Sequence, residues 1–195
     1  MKKVALKTMK EWKKVFSEEQ VTKLGFDDMA DFKAAELGTP FSLYTVNPTA
    51  MMEYQGESEF GNLVEDTNNM VYPIKSGGRN KALLWMYKKD DEWKVARIGS
   101  SKLAKTMVTT EGAIQFQTRE RGLEGAGPPK FVRVYQLFLD FFLVKSAERE
   151  YIIPVYSMPN LKIEGSKFYT PKDLVPQWKE QLEKIMKTGE KKIKK

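Results

Sequence analysis

The sequence predicts an α+β fold in which a mostly antiparallel, curved sheet packs against helices. Strand patterns follow one another in hairpins instead of alternating with helices, an order that disfavours a doubly wound parallel sheet. Apolar residues at helical spacing over residues 1–38 predict a helical segment before the first strand. With 41% hydrophobic and 12% aromatic residues, the chain has the composition of a folded domain.

Three helices are predicted before residue 39. The first is amphipathic, with lysines on one face and four apolar residues on the other: Ala5, Met9, Trp12 and Phe16. The second opens at a capping-box pattern over residues 17–20 and stops at Gly25. The third starts at Asp27 or Asp28 and is expected to close at Gly38.

The middle of the chain changes to period-two alternation, which predicts strands. The first strand covers residues 39–46, and Asn47 followed by Pro48 caps a short helix over residues 49–54. A polar loop over residues 55–69 comes next. Three consecutive antiparallel strands are then expected at residues 70–75, 81–88 and 92–98.

After this meander, Ser100 and Ser101 cap a helix over residues 102 to about 108. Residues 122–130 contain three glycines and two prolines and predict a loop or hinge. Residues 131–144 are apolar at nearly every position and predict one long strand that is bent or buried on both faces.

The C-terminal part is expected to contain a further strand and a helix. A turn at residues 146–150 leads into a strand over residues 151–158, where Pro154 indicates a sheet edge. The last helix opens at Pro171, ends at Gly189 and should kink or restart at Pro176.

We expect one α+β domain over residues 1–195, with a cystatin-like or nuclear-transport-factor-like sheet as the nearest fold analogy. It divides into a helical segment, two αβ lobes and a frayed tail: residues 1–38, 39–121, 131–189 and 190–195.

The chain contains no histidine and no cysteine. This composition removes imidazole acid–base chemistry, thiolate nucleophiles, disulfides and the commonest transition-metal ligands. The glycines, acidic residues and serines of the chain do not have the spacing of phosphate-loop, dinucleotide-binding, calcium-binding or serine-hydrolase motifs. No cofactor and no metal are therefore expected. Catalysis would have to rest on carboxylates, lysine or tyrosine, and the default is a protein that binds without chemistry.

The net charge of +7 is concentrated at the two ends. Residues 1–14 carry six lysines and one glutamate, residues 179–195 seven lysines and three glutamates, and the residues between them therefore sum to −2. A body so nearly neutral disfavours nucleic acid as a partner. The basic ends are either solvated or a peripheral contact with a membrane surface. Lys7, Lys10 and Lys13 interrupt the apolar stretch of a signal peptide, and no run is long enough to cross a bilayer.

The first candidate ligand-binding residues are Gln136 and Asp140. Four residues apart on the predicted strand, they would share one face. A carboxylate among apolar neighbours must be paired or hydrated. Asp140 is therefore either in a structural ion pair or in the lining of a ligand pocket.

The second candidate group consists of aromatic and basic residues on two adjacent predicted strands: Trp85, Tyr87, Trp93 and Arg97. They could form an aromatic platform for sugars, peptides or single strands of nucleic acid. Cross-strand aromatic residues also stabilise sheets without any ligand.

The segment Ala35-Glu-Leu-Gly-Thr-Pro-Phe-Ser-Leu-Tyr-Thr-Val46 resembles a segment of uncharacterised bacterial proteins with the pattern L-G-x-P-[FY]-x-x-Y-T. Some of those proteins are predicted to be exported. The resemblance covers residues 35–46 alone and implies a bacterial protein of the cell envelope or the extracellular space.

Three functional hypotheses follow. The leading one is a non-enzymatic binding domain for a protein, peptide or surface polymer. The alternatives are an enzyme based on carboxylate or lysine chemistry with its site near Asp140, and attachment to a membrane surface through the basic ends. The oligomeric state and the ligand stay open.

Overall fold

The computed structural model of the chain describes residues 1–120, 123, 127–146 and 149–193, with the backbone alone for residue 160 and residues 188–193. The chain divides into two units. Unit 1 comprises Met1–Leu43 and Asn68–Thr109, and unit 2 comprises Tyr44–Thr67 and Thr110–Lys195.

The described residues form six α-helices and eight β-strands. The helices are α1 Lys2–Val15, α2 Glu18–Lys23, α3 Met29–Ala34, α4 Pro48–Glu53, α5 Ser101–Glu120 and α6 Pro171–Ile193. The strands are β1 Glu36–Leu37, β2 Phe41–Val46, β3 Val64–Ser76, β4 Arg79–Lys89, β5 Glu92–Gly99, β6 Lys130–Val134, β7 Leu139–Lys145 and β8 Glu150–Pro154. The strands form a mostly antiparallel, curved sheet, which confirms the predicted α+β class.

Unit 1 packs α1, α2 and α3 against the antiparallel strands β3, β4 and β5. The capping box of α2 forms as predicted, since the Gln20 N–H donates to Ser17 Oγ and the Ser17 N–H donates to Gln20 Oε1. Between β3 and β4, Gly77 and Gly78 both have positive φ, 55° and 73°, as a tight hairpin turn requires.

A buried lysine ties the segment around α3 to the sheet of unit 1. The Lys81 side chain on β4 is only 5% exposed, and its Nζ lies 2.8 Å from Asp27 Oδ2 and 2.9 Å from Asp31 Oδ2. Burial of an ammonium group is tolerated because two carboxylates compensate its charge.

Unit 2 contains two antiparallel hairpins, formed by β6 with β7 and by β7 with β8. The outer side of β8 is covered at Ile152, which exchanges two backbone hydrogen bonds with Tyr169. The core of the unit lies between these strands and α6, where the rings of Phe141 and Trp178 stack at 5.4 Å.

Two predicted boundaries in the first half of the chain are wrong. The third helix ends at Ala34 and not at Gly38, because Leu37 pairs with Ile74 of β3 and the Gly38 N–H donates to the Pro73 carbonyl at 2.8 Å. The predicted polar loop over residues 55–69 contains a 3-10 turn at Phe60–Leu63 and the beginning of β3. Strand pairing overrides weak local propensity in both places.

The predicted helix over residues 102–108 is much longer, since α5 continues to Glu120. Its buried residues keep the helical period beyond residue 108: Leu103, Ala104, Met107, Thr110 and Ile114. Packing thus extends the helix through threonine and glycine residues that favour a stop. In the predicted loop that follows, residues 122–130, positions 122 and 124–126 lie outside the described residues, and β6 begins at Lys130.

The largest correction concerns residues 131–144, which are a hairpin and not one strand. Strands β6 and β7 are joined by a 3-10 turn at Tyr135–Leu137. This apolar run contains no glycine, asparagine or proline, the residues that normally mark a turn.

The C-terminal predictions also shift. Strand β8 ends at Pro154, so the missing backbone N–H of this proline does not interrupt the hydrogen bonds between strands. The last helix does not restart at Pro176, because a single lost backbone hydrogen bond near its first turns leaves the rest of the ladder intact. It also continues past Gly189 to Ile193.

Candidate binding site at the β6–β7 hairpin

The carboxylate of Asp140 is in an ion pair. Arg133 Nε donates to Asp140 Oδ1 at 2.6 Å, and the second guanidinium nitrogen donates to Oδ2 at 2.7 Å. The two residues face each other across β6 and β7, with side chains 17% and 6% exposed. Such a bidentate pair compensates the charge of a buried carboxylate and fixes its geometry, with one hydrogen bond to each oxygen.

The ion pair is enclosed by neighbouring groups of unit 2. The Val155 N–H donates to the Asp140 carbonyl at 2.9 Å, and the Thr45 hydroxyl donates to the Arg133 carbonyl at 2.9 Å. Burial raises the pKa of Tyr156 to about 12, and the charge of Asp140 adds to this rise while Arg133 opposes it. The base of the hairpin is therefore held from several directions.

Gln136 does not share a strand face with Asp140, contrary to the prediction. It lies in the 3-10 turn, where its side chain is exposed. The prediction assumed one continuous strand, in which residues four apart lie on the same face. The chain instead reverses direction between Gln136 and Asp140, so this rule does not apply to them.

The residues of the turn, Tyr135–Phe138, form what we call the hairpin tip. Phe138 has φ 50° and ψ 36° in the left-handed region, and its side chain is 92% exposed. Bulky side chains are rare in that conformation, which glycine or asparagine adopts at lower cost. Strain of this kind recurs at functional sites, and here it presents an aromatic ring to solvent.

An apolar groove, here called the hairpin groove, lies beside the tip. It has a volume of about 490 Å³ and is lined by Leu137, Leu139, Ser157, Met158, Pro159, Leu161, Trp178, Gln181 and Ile185. None of these side chains carries a charge. Ile185 and the neighbouring Met186 are also exposed apolar residues. Tip and groove together form an uncharged, largely apolar surface on one unit of the protein.

The structure brings Trp85, Tyr87 and Arg97 of the predicted aromatic platform to one face of the sheet, without Trp93. Arg97 and Trp85 lie opposite each other in the β4–β5 register, with the guanidinium carbon 4.8 Å from the ring centroid. Trp93 lies opposite Lys88 and packs on the core of unit 1. A bulge places one extra residue of β5 between the pairs at Trp85 and Met86, so that Trp93 faces the other side of the sheet. Tyr87 is half-buried opposite Lys94.

The predicted basic helix α1 exposes its lysines except Lys13, which is half-buried, and packs its apolar face into unit 1. Ala5 and Met9 are buried in the core of unit 1, and the Lys13 ammonium group donates to the carbonyls of Lys33 and Ala35. The apolar face of α1 is thus already covered in the folded protein. The lysine side chains near the C-terminus, from residue 188 onward, lie outside the described side chains.

Sequence reasoning missed Phe138, Tyr135 and the hairpin groove. One signal was available: a 14-residue apolar run is far longer than an ordinary strand of five or six residues, and this length favours a turn within it. Length alone does not decide the point, since β3 extends over 13 residues without a turn. No signal in the sequence shows that Phe138 is exposed, because exposure depends on how distant segments pack.

No protein-family model, curated protein or solved structure matches this chain. Among the described helices, none combines the length and the apolar character that crossing a bilayer requires. Within the same residues, no cluster of acidic side chains is arranged to hold a metal ion.

Proposed function

We propose that the chain is a non-enzymatic binding domain that recognises an apolar, uncharged peptide segment of a protein partner through the hairpin tip and the hairpin groove. The observation that carries the proposal is Phe138, an exposed aromatic residue held in a strained backbone conformation beside an apolar groove. Aromatic anchors next to apolar pockets supply most of the binding energy in protein interfaces.

The chemistry of the lining supports a peptide as the occupant. Because no charged side chain lines the groove, a charged ligand group would lose its hydration without gaining a partner. Ser157 and Gln181 offer hydrogen-bonding groups that suit a peptide backbone. The ion pair between Arg133 and Asp140 keeps the tip rigid, which lowers the entropy lost on binding.

Neither alternative gains comparable support. The Arg133 guanidinium engages both oxygens of Asp140, so an enzyme that used this carboxylate as an acid or base would have to break a largely buried ion pair. We extend the proposal to a partner in the bacterial envelope. Only the resemblance of residues 35–46 supports this extension.

The test is selection of short random peptides, displayed on phage, against the immobilised full chain. A synthetic peptide of the enriched sequence is then titrated by calorimetry. We expect Phe138→Asn to weaken its binding by about tenfold or more, because the variant removes an aromatic anchor. Asparagine tolerates the left-handed backbone, so folding should be kept or improved by about 1 kcal/mol.

The matched control is Phe116→Ala, which removes a phenylalanine on α5 that is 66% exposed and lies outside the groove lining. It should leave the affinity unchanged. Failure of any peptide to enrich, or equal affinity for Phe138→Asn and the unsubstituted chain, overturns the proposal. Binding to phosphatidylglycerol vesicles that requires Phe138, without peptide binding, counts equally against it.

A further inference from the structure

A second cavity of unit 2 differs from the hairpin groove in both position and chemistry. It has a volume of about 490 Å³ and lies between the segment after α4, the facing ends of β7 and β8, and the start of α6. It shares no lining residue with the hairpin groove. Six charged residues line it: Glu57, Glu59, Lys145, Arg149, Glu150 and Lys172.

Glu150 is the buried charged residue in the lining of this cavity. It is only 9% exposed, and its carboxylate accepts hydrogen bonds from the Phe60 N–H at 2.5 Å and the Gly61 N–H at 2.9 Å. The approach depends on glycine, because a Cβ at Gly61 would lie 2.5 Å from Glu150 Oε1. Each carboxylate oxygen retains acceptor capacity beyond its one backbone hydrogen bond. A buried negative charge is thus held in place and can accept further donors.

The ion pair in this lining leaves both negative and positive side chains available to a ligand. Lys145 Nζ is paired with Glu59 Oε2 at 2.7 Å. Among the described side chains, no ion pair engages Glu57, Glu150, Arg149 or Lys172. Glu57, Arg149 and Lys172 therefore have no ion-pair partner among the described side chains. Lys145 lies opposite Glu150 in the β7–β8 register, and the charge of Glu150 helps to raise the pKa of Lys145, so Glu150 is compensated only at a distance longer than an ion pair.

The balance of charge selects the class of ligand. A purely anionic ligand would face the carboxylates of Glu57 and Glu150, and a purely cationic ligand would face Arg149 and Lys172. A ligand with both an ammonium group and a carboxylate can satisfy all four, and oppositely charged groups attract most strongly where water is displaced. The volume lies within the range of small-molecule sites.

We propose that this cavity binds a small zwitterion of the amino acid type, with its ammonium group at Glu150 and Glu57 and its carboxylate at Arg149 and Lys172. The same chemistry is offered by a free amino acid and by a dipeptide, which differ in the separation of the two charges. The proposal is independent of peptide binding at the hairpin groove, since the two sites have no residue in common.

The experiment uses the full chain and ligand-detected NMR with the standard amino acids and simple dipeptides as separate pools. We expect at least one zwitterion to bind with a Kd of about 1 mM or tighter. The pool that contains it distinguishes amino acid from dipeptide. Acetylating its amine and amidating its carboxylate should each weaken binding by about tenfold, because each change removes one charge-assisted contact.

Variants assign the binding to the cavity. Arg149→Ser and Lys172→Ser remove exposed side chains, so they should keep the fold while weakening binding by about tenfold. Glu150→Gln should also weaken it, with circular dichroism as the check on folding. Lys10→Ser, at an exposed lysine of unit 1, is the matched control and should change nothing.

Three outcomes overturn the proposal. The first is that no zwitterion binds near 1 mM. The second is that a bound compound keeps its affinity in both Arg149→Ser and Lys172→Ser. The third is that the blocked analogues bind as well as the parent compound.

Discussion

At the scale of single residues, the most unusual feature is the backbone of Phe138. A left-handed conformation costs a residue with a side chain about 1–2 kcal/mol relative to an ordinary helical one. Burial does not compensate this cost, because the ring is almost fully exposed. The conformation is held by the turn and by the strands on either side, which the pair Arg133–Asp140 joins.

Breaking that pair should be costly for folding. We expect Asp140→Asn and Arg133→Met each to lower the free energy of unfolding by about 3 kcal/mol, because each leaves a largely buried charge without its partner. Chemical denaturation monitored by tryptophan fluorescence provides the measurement. The double variant Arg133→Met with Asp140→Leu should recover much of the loss, since no charge is then left unpaired.

The control for this prediction is the exposed pair between Lys184 and Glu180 on α6, whose atoms lie 2.6 Å apart. Lys184→Ala should change stability by less than about 1 kcal/mol. Equal effects of Asp140→Asn and Lys184→Ala would show that the hairpin pair is not desolvated.

At the scale of elements, Lys81 of β4 links the sheet of unit 1 to the residues around α3. Burial by itself raises the pKa of Asp31, but hydrogen bonds from Ser76, the Asp27 N–H and Lys81 outweigh it and lower the pKa to about 2 from 3.8. Hydrogen bonds that the Lys81 ammonium group donates to Asp27 and Asp31 raise the pKa of Lys81, against the effect of its burial. The ionised forms of Asp31 and Lys81 therefore favour the folded protein.

The pH dependence of stability follows from these directions. Because the pKa of Asp31 is lower in the folded than in the unfolded chain, its contribution is complete above about pH 4 and is lost as the pH falls through 2. The contribution of Lys81 is complete below 10.5 and is lost as the pH rises through its higher folded pKa. Urea denaturation at a series of pH values should show both losses.

Asp31→Asn should remove most of the acid-side dependence that this residue contributes. Asp90→Asn, in the exposed turn between β4 and β5, is the matched control and should leave the pH profile unchanged. The same acid-side slope in Asp31→Asn and in the unsubstituted chain would contradict the assignment.

At the scale of the whole molecule, the two units are not successive in the chain. The boundaries between them fall inside β2, between Leu43 and Tyr44, inside β3, between Thr67 and Asn68, and inside α5, between Thr109 and Thr110. Each of these strands therefore supplies residues to both units. Losing either unit would remove part of a strand from the other, so we expect them to unfold together.

Native-state hydrogen exchange tests this cooperativity. Amides of β4 in unit 1 and of β7 in unit 2 should report the same free energy of global opening as denaturant is raised. The expectation fails if one strand exchanges at a denaturant concentration at which the other remains protected.

Local patterns sufficed for much of this fold. The helical start, the capping box at Ser17 and the meander of β3, β4 and β5 could be predicted because caps, turn glycines and periodicity involve residues close in sequence. For the candidate site, the sequence singled out Gln136 within the hairpin tip and Asp140 just after it, but not Phe138 or the groove.

The sequence by itself determined the α+β class and the absence of imidazole and thiol chemistry, because composition and local period need no tertiary contact. Only the tertiary structure decided the turn at Tyr135–Phe138, the pairing of Asp140 with Arg133, the bulge that turns Trp93 away from Trp85 and the carboxylate of Glu150 in a cavity. These features depend on strand register, burial and approach between segments far apart in the chain, and no short stretch of residues encodes them.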